Sequence, residues 1–386
     1  MHWRNAPAWS ELQYGFRSEF EMQQPQEGVM SYYELSADED LNILRLHEKA
    51  IVFDGAFPML GFYKAPEEEI DAFLKGGVTG GNATLSSDET DFSGAIANFR
   101  NLKALISRNS DRMALCTRAA DIERCKRDGK IGMVPFFQNP KPIADRLADL
   151  EIFYELGLRV FQMTYNNLGF IGAGCCERND PGLSNFGIEV VSKCNELGIL
   201  LDISHCGPAT SWDTLKFSKA PVVASHSGAY ALARAFGRNK PDDMLKAVAD
   251  TGGLAGIPFF PCLVKRDPET HVVQPSTVED VIDHIDHAVE IMGIDHVGIA
   301  SDMSSHLART LELTRDSVLR TTRLRHPEVF GVGPTDRYDP YPAGLDSHAK
   351  MLNLSRGLHK RGYAEGDIIK ILGGNWMRVY SAVWKD

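Results

Sequence analysis

Short apolar runs alternate with longer amphipathic segments along most of the chain. Eight of the short runs are typical of buried strands, because they are rich in apolar residues and most end on a polar side chain. They cover residues 49–55, 77–85, 130–139, 160–166, 198–205, 220–227, 254–260 and 296–302. Continuous apolar strands of this kind predict a parallel sheet that is buried on both faces.

The segments between these runs carry helix signals. PEEEIDAFLKGG has acidic residues early and a glycine at its end, and ADRLADLEIFYELG repeats apolar residues at helical spacing. STVEDVIDHIDHAVEIMG opens on Ser276, which is predicted as its N-cap, and closes on Gly293. Eight strand–helix units predict a (β/α)8 TIM barrel. The alternative is an open doubly wound sheet, but no G-x-G-x-x-G motif follows the first strand to favour its dinucleotide-binding form.

The N-terminal segment and one long segment inside the barrel domain fall outside the alternating pattern. Residues 1–45 are predicted as an N-terminal extension, and residues 46–386 as a single barrel domain. Within that domain, residues 303–345 are rich in proline, glycine and tyrosine and predict a long loop on the active-site side, followed by C-terminal helices.

Composition and charge exclude several classes of protein. The 386 residues are 43% hydrophobic and 24% charged, as in ordinary globular enzymes, and the formal net charge is −11. This charge argues against binding to nucleic acid or to anionic membranes. The seven cysteines form neither a disulfide framework nor a C-x-x-C zinc motif. With no signal peptide and no run of 18 apolar residues, the sequence predicts a cytoplasmic protein.

Polar side chains end several of the predicted strands, where barrel enzymes build their active sites. His205 and His226 end consecutive strands, and Asp302 ends the eighth. Imidazole and carboxylate groups suit a divalent ion such as zinc. Each residue also has a structural interpretation, in which the histidines are hydrogen-bonded and the aspartate caps the following segment.

Further candidates follow the fourth strand. Tyr165 and Asn166 either face the site or serve as turn residues. Cys175 and Glu177 lie in the glycine-rich segment 172–187. They either reach the site, as a metal ligand or a substrate contact, or belong to a structured loop that leads to a helix cap at Ser184.

Several segments together resemble the membrane (renal) dipeptidase family, peptidase family M19. They include GILLDISHCG, KAPVVASHSGAYAL, TVEDVIDHIDHAVEIMGIDHVGIASDMSS and the closing GGNWMRV. The spacing of 21 residues between the histidines of DISH and SHS is specific to this family. The resemblance covers most of the chain. It implies a barrel of the metallo-dependent hydrolase type that cleaves dipeptides with two zinc ions, bridged by a carboxylate and a hydroxide.

The resemblance also implies roles for individual residues. His205 and His226 match the histidine pair that holds one of the two zinc ions. Asp302 matches the aspartate that touches the other ion and handles the proton of the attacking water. Arg238 matches an arginine that binds the substrate carboxylate. Tyr165 lies where the family has a histidine that stabilises the oxyanion.

Three positions depart from the family pattern. Ala56 and Pro58 replace the His-x-Asp pair that binds the first zinc ion, and Gln138 replaces the bridging glutamate. Neither alanine nor proline has a side chain that binds a metal. We therefore expect a divergent member with one Zn²⁺, or another divalent ion in its place, held by His205 and His226. The candidates for a further ligand are the Gln138 carbonyl, Asp302, Cys175 and Glu177.

The sequence thus predicts a metal-dependent hydrolase of a small amide or dipeptide-like substrate. The predicted catalytic residues are Asp302 and Tyr165, and the predicted substrate-binding residues are Arg238, Asn166, Cys175 and Glu177. One alternative is a metal-assisted lyase or isomerase of a small organic catabolite, because the bridged metal pair is lost. A second is a non-catalytic binding protein on the same barrel. The resemblance also leads us to expect a homodimer.

Overall fold

The computed structural model describes residues 32–304, 318–333 and 339–385. Most of the predicted N-terminal extension and part of the predicted loop 303–345 lie outside the described residues. Helix α1 (Ala37–Lys49) crosses the boundary that the sequence placed at residue 45. It packs onto the domain, where Arg356 donates to both carboxylate oxygens of Asp40 at 2.7 and 3.0 Å.

All eight predicted strands are present, and the strands of the described residues pair in parallel. They are β1 (Val52–Pro58), β2 (Val78–Ser86), β3 (Met113–Leu115), β4 (Ile131–Phe137), β5 (Val160–Gln162), β6 (Leu200–Asp202), β7 (Val222–Val223), β8 (Ala255–Pro258) and β9 (Val297–Ala300). The sequence missed β3, a three-residue strand that pairs with the first half of β4.

The strands close into a barrel. The main sheet has the order β1-β2-β4-β5-β6-β7, with β3 attached to β4, and β8 pairs with β9. A bridge between Ala224 and Ala255 joins β7 to β8. Asp302, after β9, donates its backbone N–H to the carbonyl oxygen of Ala56 in β1 at 2.9 Å. The TIM barrel predicted from the sequence is therefore confirmed.

Helices follow the strands and cover the barrel. After α1 the α-helices of the described residues are α2 (Leu60–Lys64), α3 (Pro66–Lys75), α4 (Phe92–Arg108), α5 (Ala119–Asp128), α6 (Asp149–Leu156), α7 (Asn185–Leu197), α8 (Pro208–Phe217), α9 (Asp242–Asp250), α10 (Pro261–Val264), α11 (Val278–Met292), α12 (Val318–Arg325), α13 (Pro327–Phe330), α14 (Leu352–Lys360), α15 (Glu365–Ile369) and α16 (Asn375–Val383). Two of them, α12 and α13, lie within the segment predicted as a long loop. No helix of the described residues is long and apolar enough to cross a bilayer.

The caps of two helices test the sequence prediction directly. Ser184 caps α7 as predicted, and its hydroxyl accepts from the backbone N–H of Gly187 at 3.0 Å. The N-cap of α11 is Thr277, so the prediction of Ser276 was wrong by one residue. The reason is Asp280, which lies three residues after Thr277 and accepts from its backbone N–H at 2.7 Å, as a capping box requires.

Aromatic residues of α16 pack against β1. Trp376 and Tyr380 are fully buried, and the Tyr380 ring centroid lies 5.3 Å from that of Phe53. A Cβ atom on Gly55 would lie 2.2 Å from the Trp376 ring, so a glycine at this position is required for this close packing. The C-terminal helix thus holds the first strand in place.

Candidate functional site

Three predicted metal ligands converge at the C-terminal ends of β4, β6 and β7. The Nε2 atoms of His205 and His226 lie 3.1 Å apart. The side-chain nitrogen of Gln138 lies 3.3 Å from the Nε2 atom of His205 and 3.1 Å from that of His226. The barrel strands therefore bring together residues that are 67 and 88 positions apart in sequence.

Hydrogen bonds fix the proton of His226 on Nδ1. Ser225 donates its hydroxyl to the buried carboxylate of Asp202 at 2.5 Å. The same hydroxyl oxygen lies 2.7 Å from Nδ1 of His226, so it accepts the proton that this nitrogen carries. The Nε2 atom of His226 consequently presents a lone pair to the site.

His205 has the same tautomer, with its proton on Nδ1, but a different hydrogen-bond partner fixes it. Its Nδ1 atom lies 2.8 Å from the side-chain oxygen of Asn166, which can only accept a hydrogen bond. Burial lowers the pKa of both His205 and His226 well below the usual histidine value, and the nearby cations Arg238 and Lys240 lower it further. Both rings are therefore neutral near pH 7, and their Nε2 lone pairs face each other.

These two lone pairs fit one divalent cation. Two imidazole nitrogens bound tetrahedrally at 2.0–2.1 Å from zinc would lie about 3.3 Å apart, close to the observed 3.1 Å. In the structure the Gln138 amide nitrogen donates to both rings. Rotation of that amide group would instead direct its oxygen at the cation, as a third ligand.

The backbone of Asp302 is held in an unusual conformation. Its φ is 48°, and the φ of His205 is 59°, so both residues occupy the left-handed region that non-glycine residues rarely adopt. Tyr341 donates its hydroxyl to the Asp302 carbonyl oxygen at 3.1 Å, which helps to hold this conformation. Such strained residues cluster at functional sites, and these two are predicted site residues.

The side chains of Asp302 and Tyr165 differ in their protonation. Burial raises the pKa of the Asp302 carboxyl to about 6, against the opposing effect of Arg238. Burial also raises the pKa of the Tyr165 phenol above its usual value, so this group stays a hydrogen-bond donor. The Tyr165 ring stacks on His205, with ring centroids 4.2 Å apart.

Arg238 is a buried cation with unused donors. Only 1% of this residue is exposed, and its Nε and Nη1 atoms have no hydrogen-bond partner within the described part of the chain. The guanidinium lies 5.9 Å from the ring centroid of Phe330. A buried guanidinium with free N–H groups requires an anion, and a carboxylate matches its geometry.

A cavity of about 470 Å³ connects these groups. Gln138, Tyr165, Asn166, His205, Arg238 and Asp302 all line it. Cys175 and Glu177 are not among its lining residues. The Cys175 thiol instead contacts the Asn166 side-chain oxygen at 3.5 Å, and Glu177 accepts from the backbone N–H of Leu168 at 2.8 Å. The structure thus brings most of the predicted site residues together. His226 joins the site through its contact with His205 and is not among the cavity lining, and Cys175 and Glu177 lie outside the cavity.

Comparison with known proteins agrees with this arrangement. Residues 74–317 match the family described as Membrane dipeptidase (Peptidase family M19). An uncharacterized protein in the pqqA 5' region of Klebsiella pneumoniae is 30% identical over 290 residues, which are 74% of this chain and 94% of that protein.

The chain belongs to the membrane dipeptidase family, peptidase family M19.

Two further proteins extend the comparison. Dipeptidase tcpJ of Claviceps purpurea is 30% identical over 306 residues, which are 76% of this chain but 63% of that protein. The crystal structure of an amidohydrolase from Pseudomonas aeruginosa is 32% identical, with a TM-score of 0.77 over 89% of this chain and 99% of that one. Membership of a metallopeptidase family implies that activity depends on a metal.

The family's first metal position does not fit a cation in this member. Ala56 is 1% exposed, and neither it nor Pro58 offers a ligand atom on its side chain. The nearby Asp54 carboxylate is already used, because it accepts from the Ser301 backbone at 2.7 Å and contacts His348 at 2.9 Å. Within residues 32–304, 318–333 and 339–385, no group of three or more His, Cys, Asp or Glu side chains could hold a metal ion. The paired imidazole nitrogens of His205 and His226 therefore remain the candidate ligands for an ion.

Some supporting residues of this M19 site were missed from the sequence. Asp202 and Ser225 orient His226, and Phe330 and Tyr341 line the cavity from the segment that was predicted as a loop. Asp202 and Ser225 are part of the DISH and SHS motifs, so the sequence did contain a signal for them. Phe330 and Tyr341 carry no pattern that marks them as site residues.

Proposed function

We propose that this protein is a metal-dependent hydrolase that uses one divalent ion, with zinc as the preferred metal. Its substrate is a small dipeptide-like molecule in which a free carboxylate lies close to the amide bond that is cleaved. The observation that carries the proposal is the pair of Nε2 lone pairs of His205 and His226, 3.1 Å apart. His205 lines the same cavity as Arg238, whose Nε and Nη1 atoms have no hydrogen-bond partner among the described residues. Imidazole ligands suit zinc, although other transition metals accept them as well.

Family membership favours hydrolysis over the lyase and binding-protein alternatives. The curated dipeptidase of Claviceps purpurea and the Pseudomonas aeruginosa amidohydrolase are both named for hydrolysis of amide-type bonds. The strained backbone of His205 and Asp302 also supports a catalytic role, because a binding protein has less reason to retain it.

The residues of the cavity divide the work of amide hydrolysis. His205 and His226, with the Gln138 oxygen, would hold the cation. When bound, the cation would lower the pKa of water and polarise the scissile carbonyl. Arg238 binds the substrate carboxylate and so fixes the position of the amide bond.

Asp302 and Tyr165 act on the reacting atoms. Asp302, ionised above its pKa of about 6, accepts a proton from the attacking water and returns it to the leaving nitrogen. Tyr165 donates a hydrogen bond to the oxygen on which negative charge develops. Its stacking on His205 fixes the direction of that donor.

Metal content and amide hydrolysis together test this proposal. The purified protein, loaded with Zn²⁺ and dialysed, should retain about one ion per chain and should release an amino acid from a panel of small amides with a free carboxylate. A chelator should abolish the release, and added Zn²⁺ should restore it. Two tightly bound ions per chain, or no hydrolysis across the panel by the loaded protein, would reject the proposal.

Replacing Arg238 by methionine should raise KM for a carboxylate substrate about tenfold to a hundredfold. A hydrogen bond to a charged group contributes about 1.5–3 kcal/mol, and methionine keeps the apolar volume without the charge. KM for the same substrate as its C-terminal amide should change little. Steady-state kinetics with both substrates gives the comparison.

The matched control for this variant is Arg361→Met. Arg361 forms surface ion pairs with Glu279 and Asp283 of α11, at 2.6 and 2.9 Å, and lies outside the cavity lining. The Arg361→Met variant should leave KM unchanged for both the carboxylate substrate and its C-terminal amide. Equal losses for the acid and the amide in Arg238→Met would show that Arg238 does not bind the carboxylate.

Other sequence predictions remain open. The homodimer and the cytoplasmic location stay predictions, as do substrate contacts by Cys175 and Glu177. The division into an extension over 1–45 and a barrel domain over 46–386 is likewise proposed, and α1 spans that boundary.

A further inference from the structure

The cavity is poor in charged side chains. Among the described residues that line it, Arg238 is the one basic side chain with a permanent charge, and Asp302 is the one carboxylate. A free dipeptide at neutral pH carries a carboxylate and an ammonium group. Arg238 provides for the carboxylate, so the ammonium group would depend on Asp302.

Asp302 cannot serve both the ammonium group and the attacking water. A carboxylate that pairs with an ammonium is stabilised in its charged form and becomes a weaker base. It would also have to point toward the amine rather than toward the scissile bond. A dipeptide with a charged amino terminus would therefore compete with the proposed catalytic role of this residue.

The part of the cavity at the end of β1 is mainly apolar. Pro58, Met59, Leu60 and Tyr63 line it, together with Leu85 at the end of β2. An ammonium group placed against these side chains would lose water without gaining a partner. The same surface would favour an uncharged acyl chain.

Three of the nearby hydroxyl groups are already engaged. Ser86 donates its hydroxyl to the Asn139 carbonyl oxygen at 2.9 Å, and the hydroxyls of Ser87 and Thr90 lie 3.1 Å apart. The next carboxylate, Asp88, lines the adjoining cavity and accepts from Asn139 at 2.8 Å. These contacts leave the apolar part of the cavity without a described acidic partner for an amine.

We propose that the substrates are N-acyl amino acids, whose amide bond joins an uncharged acyl group to an amino acid with a free carboxylate. Arg238 binds the carboxylate, and the acyl chain lies against Pro58, Met59 and Leu60. Water adds to the acyl carbon, the C–N bond breaks, and the nitrogen takes up a proton, so that a carboxylic acid and a free amino acid leave. This inference rests on the proposed hydrolase function and narrows its substrate class.

A matched pair of substrates tests the inference. Propionyl-X and alanyl-X differ only in the α-amino group, where X is one of a set of small, aliphatic and aromatic amino acids of either hand. At pH 7 the metal-loaded protein should cleave the best propionyl-X with a kcat/KM at least about tenfold above that of its alanyl partner. Because an α-amino group has a pKa of about 8, the difference should shrink between pH 7 and pH 9.

A pair of variants tests the same point from the side of the protein. Leu60 lines the cavity and is partly exposed, so it tolerates a polar replacement. Leu60→Asp should raise kcat/KM for alanyl-X several-fold relative to Leu60→Asn, which matches it in shape but carries no charge. The two variants should cleave propionyl-X in the opposite order or equally.

The outcomes separate the inference from the function on which it rests. If alanyl-X is cleaved as well as propionyl-X or better at pH 7, the acyl preference is wrong and the hydrolase remains. If the loaded protein cleaves neither series for any X, the proposed hydrolase fails and the inference fails with it. A preference for propionyl-X that does not narrow at high pH would show that the ammonium charge is not its cause, which also rejects the inference.

Discussion

Replacing Asp302 by asparagine should lower kcat for amide hydrolysis by a factor of about 100 to 10,000. This is the usual contribution of a positioned general acid or base. Asparagine keeps the size of the side chain and, like aspartate, tolerates the left-handed backbone that Asp302 adopts at φ 48°. Alanine would add backbone strain to the loss of the base, so asparagine isolates the chemical effect. KM should change little, because Arg238 provides the main contact with the substrate.

The pH dependence of this variant distinguishes a base from a structural residue. The pKa of the Asp302 carboxyl is raised to about 6. In the wild-type protein, kcat/KM should therefore fall as the pH drops below about 6, because protonation of this carboxyl removes the base. In Asp302→Asn the small remaining activity should lose that acidic limb. Asp250→Asn is the control, since Asp250 is an exposed residue of α9 that pairs with Lys246 at 3.4 Å. Retention of more than about a tenth of wild-type kcat, with the acidic limb unchanged, would remove Asp302 from the proposed mechanism.

The barrel was predictable because its strands are short, apolar and buried. Each predicted run contains an observed strand, and polar residues at the ends of several runs line the cavity. This rule placed Gln138, Tyr165, His205, His226 and Asp302 in one site although they are far apart in sequence. The family resemblance then added Arg238, which lies in a loop after β7 that no strand pattern marks.

Other features depend on contacts between different elements of the fold, which a local pattern of apolar and polar residues does not show. Strand β3 has three residues and pairs with part of β4, so its apolar signal is too short to distinguish it from a loop. Most of helix α1 lies in the region predicted as an extension. The sequence pattern did not mark this helix, because its stability comes partly from Arg356, more than 300 residues away. Cys175 was a natural candidate from its loop. The backbone N–H of Cys175 donates to the His205 carbonyl oxygen at 2.7 Å, so Cys175 stabilises the backbone of His205 without lining the cavity.

Replacing His226 by alanine should remove the bound metal and, with it, the activity. Even residues that only orient a ligand usually account for a 10–100-fold change in metal affinity, so the loss of one of two imidazoles should weaken binding at least about a hundredfold. After dialysis, elemental analysis should find less than a tenth of an ion per chain. His287→Ala is the control, because His287 lies on α11 and contacts Asp242 at 2.8 Å, away from the cavity.

A variant that gains affinity keeps this test decisive if His226→Ala folds poorly. Gln138→Glu places a carboxylate 3.1–3.3 Å from both imidazoles, where the neutral amide now lies. The added negative charge should tighten Zn²⁺ binding about tenfold or more, since carboxylate oxygen is a better zinc ligand than an amide oxygen. Equilibrium titration with a competing chelator measures the change. Unaltered affinity in Gln138→Glu, or a full metal complement in His226→Ala, would mean that the ion lies elsewhere in the chain, because a cation held by the two imidazoles must respond to both substitutions.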